Sequence, residues 1–138
     1  MSFLSSTTPK LAPWKVLLVD DEPDIHDITK PTLNPFRLDG RALTFLHAYS
    51  GAEAKEVLAR ETDIALVFLD VVMENEDSGL EVARWMRQDL NNTFTRIVLR
   101  TGQPGQAPEE RVIVNYDIND YKEKTELDRT KLFTTTFA

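Results

Sequence analysis

Two apolar runs in this chain stop abruptly on carboxylates. Val16-Leu17-Leu18-Val19 gives way to Asp20-Asp21-Glu22, and Ile64-Ala65-Leu66-Val67-Phe68-Leu69 gives way to Asp70. Two later segments end on different groups: Ile97-Val98-Leu99 leads to Thr101, and Asp120-Tyr121 leads to Lys124. Carboxylates, a hydroxyl and an ammonium at four strand ends suit a magnesium-assisted transfer of a phosphoryl group onto an aspartate. Carboxylates crowded together raise one another's pKa unless a cation offsets their charge. The chain has no cysteine and only two histidines, His26 and His47, read here as distant from the acidic residues and given no ligand role. An oxygen-only donor set fits Mg2+ (or Mn2+) rather than zinc.

Within that chemistry each residue has an expected part. Asp21 and Asp70 are expected as direct metal ligands, Asp20 through a water, and the main-chain carbonyl of Val72 as the remaining protein ligand. Asp70 is then the nucleophile toward phosphorus. Lys124 pairs with a phosphoryl oxygen, and the Thr101 hydroxyl donates a hydrogen bond to the group once it is present. Lys122 competes with Lys124, because residues two apart in an extended segment point the same way.

The elements that must position these groups alternate along the chain. Lys15–Val19, Leu43–Tyr49, Ile64–Leu69, Arg96–Arg100 and Ile118–Tyr121 read as strands, the first and third as continuous apolar runs of the kind buried in parallel sheets. Pro23 suits the first turn of a helix with Ile25 and Ile28 on one face, and Pro31 predicts that this helix is kinked or shortened. Ser50-Gly51-Ala52-Glu53 and Ser78-Gly79-Leu80-Glu81 read as capping boxes opening two further helices. A short helix is expected from Pro108 to Asn115, and a last one from about Glu126. Five βα units in this order predict an α/β fold with an open, doubly wound parallel sheet. In such sheets the working site lies beyond the carboxyl ends of the strands, where all of these residues fall.

Composition bounds the rest. The 138 residues fit one domain, with 41% apolar and 28% charged residues. Sixteen basic residues against twenty-three acidic ones give a net charge of −7, which disfavours nucleic acid and anionic lipid as partners. Residues 1–13 are expected to be a flexible leader without signal-peptide character, and 14–138 the folded domain with its last helix truncated. No segment is long and apolar enough to span a membrane, so a cytoplasmic setting is expected. Trp14 and Trp85 are assigned to packing or an interface. The Thr101–Gly105 stretch lacks the Gly-Lys-Ser/Thr ending of a nucleotide-binding loop.

Four segments, Val19-Asp20-Asp21-Glu22-Pro23, Leu69-Asp70-Val71-Val72-Met73, Leu99-Arg100-Thr101-Gly102 and Asp120-Tyr121-Lys122-Glu123-Lys124, resemble in order the motifs of response-regulator receiver domains of two-component signalling. The resemblance runs from Trp14 onward and implies a flavodoxin-like (βα)5 fold with strand order 2-1-3-4-5. It implies that Asp70 accepts phosphate from a histidine kinase or phosphotransfer protein. It further implies that Asp20 and Asp21 form the acidic pair, that Thr101 and Lys124 read the phosphoryl group, and that Tyr121 is the switch aromatic. Against the family pattern, Thr125 follows Lys124 where proline is usual, Glu74 stands where the loop after Asp70 usually has proline, and Asp117 replaces the glycine before strand five. The stretch Leu99–Gly105, with Tyr116–Lys124, resembles a narrower subgroup: N-terminal receivers of long bacterial regulators that turn over cyclic di-GMP, often with HD-GYP phosphodiesterase output. That implies a C-terminal output domain beyond this segment, with a homodimer as a further candidate assembly.

Two rival functions use the same residues. An aspartate-nucleophile phosphohydrolase generally needs a second carboxylate two residues after the nucleophile, where this chain has Val72. A phosphorylation-independent interaction module would keep the fold without needing the full acidic set, which is intact here. The favoured expectation is a signalling switch that phosphorylates and dephosphorylates itself without independent substrate turnover.

Overall fold

The structure, a computed structural model, describes residues 12–37, 39–101 and 115–123, with the backbone alone at Thr101 and Asp120–Glu123. The elements are β1 (Trp14–Val19), α1 (Pro23–Leu33), β2 (Leu43–Ala48), α2 (Gly51–Arg60), β3 (Ile64–Asp70), α3 (Ser78–Arg84), β4 (Arg96–Thr101) and β5 (Asp120–Glu123). A π-helical turn, Trp85–Asp89, prolongs α3. The strands lie in the order β2-β1-β3-β4-β5, and every neighbouring pair is parallel. The expected leader up to residue 11, the helix from Glu126 and nearly all of the helix placed at Pro108–Asn115 lie outside the described residues.

Strand alternation explains the continuous apolar runs, because successive residues serve opposite faces. Leu17, Val19, Val67, Leu69, Ile97 and Leu99 share one cluster with Val57 and Leu58 of α2, Val82 of α3 and Met86 of the π-helical turn. Val16, Leu18, Leu66, Phe68 and Val98 form the other, closed by Leu33 of α1. Both faces of the central strands are therefore buried, as a parallel sheet requires.

Local chemistry corrects several boundaries. Pro31 does not shorten α1 at its own position, since the helix continues to Leu33. It stands in the last turn, where its missing N–H removes a single bond, and Asn34 N closes the end by donating to Lys30 O at 2.8 Å. The buried stripe of α1 is His26, Thr29 and Leu33, while Ile28 is 45% exposed. β5 begins at Asp120 rather than Ile118. Asn119 engages Ile97 first, its N–H donating to Ile97 O and its Oδ1 accepting from Ile97 N, both at 2.8 Å.

The first capping box forms: Ser50 Oγ accepts from Glu53 N at 3.1 Å, and Glu53 Oε1 accepts from Tyr49 N at 3.0 Å. Glu74 reaches across from the loop after β3 and accepts from Gly51 N at 2.8 Å and Ala52 N at 3.2 Å. Helix α2 thus has its first donors satisfied from two directions. The second box does not form. Asp77 is the N-cap and gives no side-chain bond, while Ser78 is already helical and its Oγ accepts from Asn75 N.

Candidate functional site

Parallel pairing brings the ends of β1 and β3 side by side, because Val19 and Leu69 are register partners. Asp20 follows β1 directly. Its N–H donates to Ala48 O at 3.1 Å, and its Oδ1 accepts from Glu22 N at 2.9 Å, so main chain and side chain are both fixed. Asp70 is the last residue of β3, and Val71 N donates to Arg100 O at 3.0 Å to hold the exit from the strand. Asp20 and Asp70 are buried, whereas Asp21 is exposed. One carboxylate oxygen from each of Asp20, Asp21 and Asp70 lies within 4.8 Å of the other two.

The turn after Asp70 is set by a close approach. Gly79 N donates to Val71 O at 2.8 Å, and a Cβ at Gly79 would stand 2.1 Å from Asp70 O. Only a residue without a side chain lets the first turn of α3 rest on the Asp70 main chain. Val72, half-buried, lies in this same turn. Thr101 closes β4 opposite Glu123, and Tyr121 pairs with Leu99 in the ladder. The side chains of Thr101 and Tyr121, and Lys124 as a whole, lie outside the described residues.

The donor set fits a hard divalent cation. It is all oxygen, two of its members are held rigid by burial, and the third opens to solvent, as an ion that keeps several of its waters requires. The sequence placed both histidines away from this chemistry, and the structure corrects that. His26 is buried, its Nε2 donates to the main-chain carbonyl of Asp20 at 2.8 Å, and its Nδ1 meets His47 Nδ1 at 2.8 Å. The sequence leaves His26 either structural or exposed, because Ile25 and Ile28 read as one face of the helix. The signal that would have found it is the 26-29-33 spacing.

Arg100 is the second residue the sequence did not single out. It is Asp70's register partner across β3 and β4, and it is 3% exposed. Its Nη1 donates to Thr29 Oγ1 at 3.0 Å, and its guanidinium carbon stands 5.5 Å from the centre of the Phe68 ring. Burial pulls its pKa down to about 10 while Asp20 and Asp70 hold it up, so it stays charged at neutral pH. The available signal was strand parity, since Arg100 shares Val98's inward face rather than the rim.

An open parallel sheet with three carboxylates drawn together at its carboxyl rim defines a flavodoxin-like α/β domain built around an acidic, cation-attracting pocket. The chain belongs to the response regulator receiver domains, a family whose model matches residues 16–136. It is similar to the 3'3'-cGAMP-specific phosphodiesterase 2 of Vibrio cholerae serotype O1, with 52% identity over 126 residues. That match covers 91% of this chain and 24% of the relative, so the chain spans about a quarter of that protein's length. Among solved structures, the N-terminal domain of a response regulator/sensory box/GGDEF three-domain protein from Carboxydothermus hydrogenoformans matches with a TM-score of 0.71 and 21% identity, over 88% of this chain and 89% of that one. The Mn(2+)-bound form of response regulator Rcp1 matches with a TM-score of 0.68 and 18% identity, over 90% of each chain. These two structures bear on the fold alone. The chain is accordingly a receiver domain of two-component signalling, a switch module. Among the described residues no helix is long and apolar enough to cross a membrane.

Proposed function

We propose that Asp70 accepts a phosphoryl group from the phosphohistidine of a histidine kinase or phosphotransfer protein. The bond that forms joins an Asp70 carboxylate oxygen to phosphorus; the bond that breaks is the donor's P–N bond, whose nitrogen leaves as imidazole. The observation carrying this reading is the convergence of Asp20, Asp21 and Asp70 oxygens within 4.8 Å. Asp21 and Asp70 would hold Mg2+ or Mn2+ directly, Asp20 through a water and Val72 through its main-chain carbonyl. The ion, when bound, offsets charge on the phosphoryl oxygens. Lys124 then pairs with one of those oxygens and Thr101 donates to another, drawing Thr101 inward and with it Tyr121, which turns phosphorylation into a change of surface.

In this reading residues 14–138 form the receiver domain behind a leader of residues 1–13, and the domain has self-phosphorylating and autophosphatase chemistry without a separate substrate. It acts in the cytoplasm as the input of a longer regulator, whose C-terminal output domain hydrolyses a cyclic dinucleotide, with a second copy of the chain as a further partner. The likeness to the cGAMP phosphodiesterase supports that output.

The test is incubation with acetyl phosphate and Mg2+, followed by phosphate-affinity electrophoresis. Retardation of the wild-type chain, lost in Asp70→Asn and in metal-free buffer, is expected. Steady turnover of a phosphate ester would instead make it a phosphohydrolase, and an unretarded wild-type band would leave only an interaction module.

A further inference from the structure

The buried guanidinium of Arg100 is not explained by folding alone. One of its nitrogens, Nη1, has Thr29 Oγ1 as acceptor, but Nη2 is fully buried and has no hydrogen-bond partner among the described residues. A buried donor without an acceptor destabilises the fold, and a buried charge does so more. An apolar residue on Val98's face would avoid both costs, since Val16, Leu18, Leu66 and Phe68 already make that face apolar.

What stands beside the guanidinium is the acidic cluster. Arg100 and Asp70 are register partners, so their side chains leave the same face of the sheet. Asp20 and Arg100 line one small cavity together with Thr29, His26 and Phe68. Three carboxylates against one guanidinium leave two negative charges among the described residues, the charge of a single divalent ion.

Resting on the metal site proposed above, we infer that Arg100 is a built-in counter-cation of that site, a positioning residue that offsets Asp20 and Asp70 from beneath. It offsets the charge of the two buried carboxylates before the ion arrives, and it lowers the affinity with which the ion then binds. Thr29 keeps the guanidinium on the α1 side of the sheet, so that it does not swing up and occupy the ion's position. The buried polar stripe of α1 follows from this, with Thr29 serving Arg100 and His26 serving the Asp20 carbonyl.

The experiment measures Mg2+ binding to the 138-residue chain by titration calorimetry, with thermal melts at zero and saturating Mg2+. Removing one fixed cation from beside a dication should tighten Mg2+ binding by about tenfold in both Arg100→Met and Arg100→Gln. Arg100→Lys, which keeps the charge, should restore wild-type affinity to within about twofold. The neutral variants should melt earlier than wild type without Mg2+, and the deficit should shrink when Mg2+ saturates. A residue that merely fills space would shift both melts equally and leave the affinity unchanged, which would overturn the inference. Neutral variants that stay unfolded at saturating Mg2+ would overturn it as well, because the ion should be able to take over the neutralisation. A wild-type chain that binds no Mg2+ would sink the metal site itself, whereas binding indifferent to residue 100 sinks only the role of Arg100.

Discussion

His26 Nε2 donates to the main-chain carbonyl of Asp20 at 2.8 Å, tying the start of α1's buried face to the residue that opens the acidic cluster. A carbonyl only accepts, so this nitrogen carries the proton. His26 Nδ1 and His47 Nδ1 stand 2.8 Å apart, within hydrogen-bond distance of each other. Tyr49 stacks on the His26 ring with centroids 4.3 Å apart. Burial first, and then the neighbouring His26 and Lys30, hold the His47 pKa below its ordinary 6.5.

That relationship fixes the sign of a pH effect. The unfolded chain takes up a proton at His47 near 6.5, and the folded chain does so only at lower pH. Stability is therefore full above that value and falls as the pH drops toward the folded pKa. Thermal melts should show a declining Tm over this window, and His47→Gln should flatten the decline. An unchanged slope in that variant would contradict the assignment.

Glu74 supplies a cap from outside its helix. Its bond from Gly51 N, the main cause, keeps its pKa below the ordinary 4.5, so its contribution is present above that pH and lost as the pH falls through the lowered value. Glu74→Ala should cost about 1 kcal/mol in urea unfolding at pH 7, the usual scale for losing a helix cap. A cost near zero would mean the contact is idle in solution.

Gly79 admits no side chain. A Cβ there would meet Asp70 O at 2.1 Å and Val71 Cα at 2.8 Å, both main-chain atoms with no rotamer to yield. Gly79→Ala should destabilise the chain by roughly 2 kcal/mol, in the range of overpacked sites. Denaturation indistinguishable from wild type would show that the turn relaxes freely.

Asp117 adopts φ 49°, in the left-handed region, where the family usually has glycine. Its carbonyl accepts from Arg87 Nη2 at 2.8 Å, and Arg87 also donates to Tyr116 O, so this turn is held in place from α3's extension. Asp117→Gly keeps those carbonyls and relieves the backbone. It should stabilise the fold by about 0.5 kcal/mol, read from the urea midpoint.

The acidic cluster was legible because Asp20 and Asp70 end apolar runs, and a run that stops on a carboxylate marks the rim of a parallel sheet. The strand order followed from the alternation of segments together with the motif resemblance. Arg100 and His26 were not legible by the same logic. Hydropathy assigns Arg and His to water, and only the partners Thr29, Asp20 and His47, contributed by other elements, make burial tolerable. The second capping box failed for a related reason. Ser78 is taken into the helix so that Gly79 can rest on the Asp70 main chain, a close approach that spacing alone does not reveal. The boundary at Leu33 was set by one hydrogen bond from Asn34, and that at Asp120 by the two bonds between Asn119 and Ile97.

The central claim is that Asp70 is the phosphoryl acceptor, and peptide mass spectrometry after incubation with acetyl phosphate and Mg2+ tests it most directly. One phosphoryl group is expected, on the peptide containing Asp70. A phosphoryl group carried on any other residue, or none while Mg2+ is bound, would contradict it.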